Sequence, residues 1–323
     1  MTVSGIGARI TVLGGSGFLG TVVTRALLDR PVRLRVVTRG SCVLPERATA
    51  EVELRTAELT ATAELADAVA DADVVLFLAV NTDGRQDAAA EDAAERVNVG
   101  VPRALTEILR AGTRPRPVLV YAGSSSQVGM PPLGPITGAE PDRPRDAFDR
   151  QKHEAERIFM AADAAGLLRA VSLRLPMVVG HNGADRNGTK GMVAAMVRQA
   201  LAGKPLTVWG DGSPKRDLLD VRDAASAVIA AIDNETALAG RHWLVGSGRG
   251  VALAEVLRAV ADTVAEQTGA APVPIVSVAP PAGVGAAELR DVVLDSSAFR
   301  AATGWAPGFD LRDSIRQTVR CLA

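Results

Sequence analysis

"VLGGSGFLG", residues 12–20, decides the fold. It follows the β-branched run "RITVL" (9–13) and opens the stretch "FLGTVVTRALLDR". Gly15, Gly17 and Gly20 form G-x-G-x-x-G; Gly14, Gly17 and Gly20 form G-x-x-G-x-x-G. The first glycine permits a tight turn. The middle one lets backbone approach a pyrophosphate, which then sits on the helix N-terminus. Between a strand and a helix the pattern predicts a dinucleotide site made by Gly14, Gly15, Ser16, Gly17, Phe18, Leu19 and Gly20.

Outward from this turn, short β-branched runs alternate with longer helical stretches. "VRLRVV" (32–37), "DVVLFLA" (73–79), "PVLVYA" (117–122) and "AVSLRL" (170–175) read, with "RITVL", as strands buried on both faces. "ELADAVA" is a short helix, and "AAAEDAAERVNVGVPRALTEILRAG" is one long helix ending at a glycine. This alternation predicts an α/β fold with a doubly wound parallel sheet, the Rossmann fold, its strand C-termini along one edge. Beyond Pro176 the rhythm loosens, and "GHNGADRNGTKG" (180–191) and "APPAGVGAAE" (279–288) read as loops. We expect a dinucleotide-binding domain over 1–180, with 217–246 returning to it, and a smaller substrate-binding lobe over 181–323.

The 323 residues carry a net charge of −1, which offers nothing for nucleic acid or a membrane surface. Cys42 and Cys321 lie far apart without metal spacing, so free thiols and no metal are expected. The N-terminus has no basic segment followed by an apolar one. The longest apolar run, "VVLFLAV" (74–80), is far too short to span a bilayer. A cytoplasmic protein is the expectation.

The second strand ends in "VVTRGS". An NAD-preferring fold usually has an acid here for the ribose hydroxyls; this chain has Thr38 and then Arg39. A guanidinium can hold a 2′-phosphate that a carboxylate would repel, so Arg39, with Ser41 beside it, reads as an NADP selector. Glu58 and Leu59, in "AELT", follow the strand that comes third in the chain, where an adenine ring would lie.

The order and spacing of further motifs resemble the extended short-chain dehydrogenase/reductases, the nucleotide-sugar epimerase, dehydratase and reductase family. They include "GGSGFLG", "LFLAV" ending at Ala79 and Val80, "RVNVGV" with Asn98, and "YAGSSSQVG". "FDRQK", "LRLPMVVGHN", "WGDGSPKRDLLDVRDAA" and "TGWAPGFDLRDSIRQT" follow. "GSSSQVG" before "DRQK" looks most like the TDP-4-keto-6-deoxyhexose 4-ketoreductases of antibiotic-sugar pathways. The resemblance implies that Ser125 bonds the reacting oxygen, with Ser126 and Gln127 beside it at the substrate. It implies a catalytic tyrosine at 148 and a ribose-holding lysine at 152. Lys152 is present, but position 148 is phenylalanine. Ala79, Val80, Pro176 and Val178 would lie along the nicotinamide half of the cofactor. Arg216 matches the arginine that contacts the substrate diphosphate, Arg290 is a candidate second one, and Asn182 falls near the sugar.

Ser126 and Gln127 replace the acid–base pair that the family's 4,6-dehydratases need, which disfavours dehydration. Arg39 favours exchangeable NADPH over the tightly held NAD of epimerases. The expectation is therefore NADPH-dependent reduction of a TDP-4-keto-6-deoxyhexose at C4, impaired by Phe148. Two alternatives stand: a nucleotide-sugar epimerase, and a non-catalytic NADP or nucleotide-sugar binding protein. Whether Phe148 is natural or introduced, and the oligomeric state, a homodimer included, are left open.

Overall fold

The computed structural model describes residues 7–40, 48–82, 88–111, 116–182, 191–281 and 285–323. β1 (Arg9–Leu13), α1 (Phe18–Leu28), β2 (Arg33–Thr38), β3 (Glu51–Thr56), α2 (Thr62–Val69) and β4 (Val74–Phe77) come first. α3 (Ala88–Glu95), α4 (Val101–Ala111), β5 (Val118–Ser124), α5 (Ala147–Ala164) and β6 (Arg169–Leu175) follow. β7 (Met177–Val179), α6 (Met192–Leu201), β8 (Leu206–Trp209), β9 (Lys215–Asp220), α7 (Val221–Asp233) and α8 (Glu235–Leu238) come next. β10 (Arg241–Leu244), β11 (Gly250–Ala252), α9 (Leu253–Thr268), β12 (Ile275–Val278), α10 (Ser297–Thr303) and α11 (Leu311–Leu322) complete the described chain.

Seven strands form one sheet in the order β10-β6-β5-β4-β1-β2-β3. All its pairings are parallel, so the doubly wound sheet expected from the sequence is present. Its central strands are almost wholly buried because both faces are covered. One face packs on α2, α4 and α5 through Leu65, Val101, Leu105, Ala155 and Phe159. The other packs on α1 and α7, with Trp243, Phe299 and Trp305 closing it. A third core, among α6, α9 and α11, underlies a three-stranded sheet, β11-β9-β7, and the pair β12-β8.

One expected helix departs from the sequence reading in its middle. The helix expected through 88–111 is helical, but Arg96–Gly100 widens into a π turn between α3 and α4. Asn98 sits in that turn, and a π bulge shows no apolar periodicity of its own. β3 was absent from the apolar runs because Glu51–Thr56 is an edge strand with mostly exposed side chains. Among the described residues, no helix is long and apolar enough to cross a membrane.

Candidate active site

The glycine turn joins β1 to α1 at the carboxyl edge of the sheet. Gly14 has φ +90°, and a Cβ there would lie 2.7 Å from the Cα and N of Ala79. A Cβ on Gly20 would come within 2.0 Å of the Gly14 carbonyl oxygen. Both positions therefore require glycine. Gly14 and Gly15 donate their N–H groups to the Val37 carbonyl, each at 3.1 Å. The first helical bond runs from Thr21 N to Gly17 O at 3.0 Å, so the N–H groups of Phe18, Leu19 and Gly20 precede the helix ladder. Ser16 is exposed, and no side chain caps the helix. Bare N–H groups, a helix dipole and absent side chains fit a dinucleotide pyrophosphate.

Arg39 is exposed just beyond β2; Ser41 lies outside the described residues. Glu58 is exposed and binds the Thr60 N–H at 3.1 Å and its hydroxyl at 2.9 Å. Those bonds, then the Arg39 charge, hold its carboxyl below the ordinary range. Among the described residues, Arg39 and Glu58 thus lie in electrostatic reach of each other at this rim. Leu59 is buried behind them. Ala79 is half-buried, and Val80 is exposed past the end of β4. Pro176 and Val178 are half-buried where β6 passes into β7. Asn182 is buried, and its carbonyl accepts from Arg25 Nη1 of α1 at 3.0 Å.

β5 ends in Ser124 and runs into a 3₁₀ turn, Ser125–Val128. Ser124 caps it: its hydroxyl accepts from Ser126 N at 3.2 Å, while Gln127 Oε1 accepts from Ser124 N at 3.5 Å. Ser125 is buried and Ser126 exposed. Gln127 is fully buried, and its amide nitrogen donates to Glu156 at 3.3 Å.

The turn abuts the start of α5, where Asp146 caps the N–H of Asp149 at 2.8 Å. Phe148, in this first turn, is half-buried. Asp149 is buried and accepts a hydrogen bond from the Ser126 hydroxyl. One turn on, Lys152 is buried, with Nζ donating to the Ala122 carbonyl at 2.6 Å and lying 4.6 Å from the Tyr121 ring centre. Burial pulls the Lys152 ammonium down to about 8, with the Glu156 charge opposing. Tyr121 is a core aromatic between Phe77 and Phe159, its phenol pushed well above its ordinary value by burial and then by Glu156.

Behind Lys152 lies a buried ionic cluster. Arg174 bonds Glu156 at 2.5 Å and Asp142 at 2.6 Å, and Ser172 donates to Glu156 at 2.6 Å. Burial pushes the Glu156 carboxyl up, but its bonds and charge pairing with Arg174 outweigh that and leave it below the ordinary range. Asn98, in the π turn, accepts from Asn81 N and donates to Asn81 O and Gln151 Oε1, each at 2.8 Å. It ties the chain beyond β4 to α5.

Arg216, on β9, donates to the carbonyls of Lys215 and Arg290 at 2.8 Å and to that of Glu288 at 2.5 Å. Burial lowers its pKa, with Asp291 and Glu288 opposing. Arg290 reaches the Pro131 carbonyl at 3.3 Å. The two arginines are thus brought together through the 288–290 segment. A separate cavity of about 350 Å³, lined by Leu218, Arg249, Arg300 and Phe309, contains none of the residues singled out from the sequence. Asp149, Gln151, Glu156 and Arg174 were not among those residues. Asp149 and Gln151 stand inside "FDRQK", but nothing in the sequence shows what they touch.

Residues 10–246 match the model of the NAD dependent epimerase/dehydratase family. The dTDP-6-deoxy-L-talose 4-dehydrogenase (NAD(P)(+)) of Kitasatospora kifunensis is 29% identical, over 96% of this chain and 94% of its own. A UDP-glucose 4-epimerase of Azospirillum brasilense is 28% identical, over 95% of this chain and 89% of its own. Among solved structures, the UDP-glucose 4-epimerase of Thermotoga maritima superposes with a TM-score of 0.80 at 21% identity, covering 97% of this chain and 98% of that one.

Proposed function

The chain belongs to the NAD dependent epimerase/dehydratase family, and on that premise we propose that it reduces the C4 ketone of a TDP-4-keto-6-deoxyhexose, using NADPH, at a rate limited by Phe148. The observation that carries this reading is the meeting of the Ser125–Val128 turn with the first turns of α5, where Lys152 is locked onto Ala122. The family uses nicotinamide dinucleotides, and the bound cofactor supplies the hydride. Lys152 holds the ribose, and Ser125 donates to the ketone oxygen as charge develops on it. Arg39 selects the 2′-phosphate. Arg216 and Arg290 take the substrate diphosphate, with the 181–323 half supplying the sugar side and 1–180, joined by 217–246, the cofactor side. A dTDP-6-deoxysugar 4-dehydrogenase among the relatives supports the substrate class, since reduction at C4 is that reaction run backwards.

The test is NADPH oxidation with the keto sugar, followed by identification of the product alcohol. General acid catalysis contributes about 10²–10⁴-fold, so Phe148→Tyr should raise kcat at least tenfold with KM little changed. A folded Tyr variant no faster than the parent refutes the reading. The Azospirillum relative favours a second reading, C4 epimerisation. Interconversion of UDP-sugars without net NADPH consumption would establish it instead.

A further inference from the structure

We propose that Ser126, backed by Asp149, forms a proton route to the substrate oxygen that stands in for the hydroxyl missing at Phe148. The inference rests on the ketoreductase reading above. Its starting point is a count of hydrogens. Ser126 has one hydroxyl hydrogen, and it points at Asp149. The 2.7 Å contact between the Ser126 and Ser124 hydroxyls therefore runs from Ser124 to Ser126. With Asp149 ionised, Ser126 has no proton left for a ligand. Once Asp149 is protonated, the carboxyl becomes the donor and the Ser126 hydrogen is released to turn outward.

Burial gives the pair its direction. Asp149 is 8% exposed, whereas Ser126 faces solvent at the carboxyl edge of the sheet. A buried acid behind an exposed hydroxyl is the order a relay needs. The neighbouring charges on the same stretch are Asp146, which caps the Asp149 N–H, with Arg145, Arg150, Lys152 and, one helical turn on, His153, whose ring lies 3.4 Å from Asp142. α3 brings Glu91, which pairs with Arg150 at 3.4 Å. β5 brings Tyr121 and β6 brings Arg174, whose guanidinium is taken by Glu156 and Asp142. The Ser125–Val128 turn brings no ionisable carboxylate or amine.

The step balances as follows. Hydride from NADPH adds to C4 of the ketone, breaking the carbonyl π bond, and the dinucleotide leaves oxidised. The ketone oxygen takes the Ser126 hydroxyl proton. Ser126 takes the carboxyl proton of Asp149, and Asp149 is recharged from solvent.

The experiment follows kcat and KM for NADPH oxidation with TDP-4-keto-6-deoxyhexose across pH in the parent, Asp149→Asn, Phe148→Tyr and Asp149→Asn/Phe148→Tyr. The parent's kcat should fall about tenfold per pH unit above the Asp149 midpoint. Asp149→Asn should lower kcat at least tenfold, flatten that limb and leave KM within about twofold. In the Phe148→Tyr background Asp149→Asn should leave kcat within about twofold of Phe148→Tyr alone, which a merely structural loss would not allow. An Asp149→Asn enzyme with the parent's kcat and pH limb, or an Asp149→Asn/Phe148→Tyr enzyme at least about tenfold slower than Phe148→Tyr, overturns the proposal. If neither the parent nor Phe148→Tyr turns the keto sugar over, the ketoreductase reading has failed, and the pair is judged by infrared titration of the NADPH-loaded protein. The Asp149 carboxyl band, identified by its loss in Asp149→Asn, should then titrate at higher pH in Ser126→Ala, because a donor to the carboxylate is gone. A shifted midpoint retains the proton exchange for another carbonyl substrate; an unmoved one overturns it.

Discussion

Replacing Lys152 by methionine should change how stability responds to pH. Lys152 is 7% exposed, and burial lowers its pKa from the ordinary 10.5 to about 8. Between those values the unfolded chain carries the proton and the folded chain does not. Unfolding then takes up a proton, so raising the pH opposes unfolding and stability rises. Below pH 8 both states are protonated and the folded state bears the full cost. At about 1.36 kcal/mol per pH unit, the drop from 10.5 to about 8 corresponds to roughly 3 kcal/mol. Methionine removes this term together with the bond to Ala122. Other groups titrating at alkaline pH remain in both proteins and cancel in the difference, and Tyr121, 4.6 Å from Nζ, is held protonated through this span by its burial. Urea unfolding of both proteins at pH 7, 8.5 and 10 should show the parent gaining about 2–3 kcal/mol on the variant over that span. Parallel stability curves would mean that Lys152 titrates as it does in water and that the buried lysine is misjudged.

Cofactor choice should turn on Arg39: NADPH should bind about ten- to a hundredfold tighter than NADH, with Arg39→Asp reversing the order in fluorescence titrations. Equal affinities in the parent would remove Arg39 as the selector. Arg216→Ala should weaken TDP binding at least about tenfold by calorimetry, with NADPH affinity nearly unchanged. Gly20→Ala places a carbon about 2 Å from the Gly14 carbonyl, so NADPH affinity should fall and the thermal midpoint should drop by several degrees.

The large sheet was legible because parallel strands buried on both faces must be apolar along their whole length, as "VVLF" in β4 and "VLVY" in β5 are. The glycine turn was legible for a steric reason: Gly14 and Gly20 leave no room for a side chain. β10 escaped because it opens with Arg241 and His242. The π turn escaped because no apolar pattern marks it, and the bonds that Asn98 makes there, to Asn81 and Gln151, join residues 17 and 53 apart in sequence. The Asp149–Ser126 contact spans 23 residues, and no local pattern reports which hydroxyl a carboxylate will meet.

The two faces of the large sheet differ in when they can close during synthesis. The face under α2, α4 and α5 draws on residues between Leu13 and Ala170. The opposite face needs Leu219, α7, Trp243, Phe299 and Trp305. A nascent chain that has emerged as far as β6 can finish one layer, while the other shows water a slab of valine and leucine covered only by α1. At about 5–20 residues per second, the missing cover arrives on the order of ten seconds later. The emerging protein is most exposed to misassociation in that interval. Substitutions in α1 that weaken its hold on the open face should lower the yield of folded protein made in cells more than they lower the stability of the finished molecule.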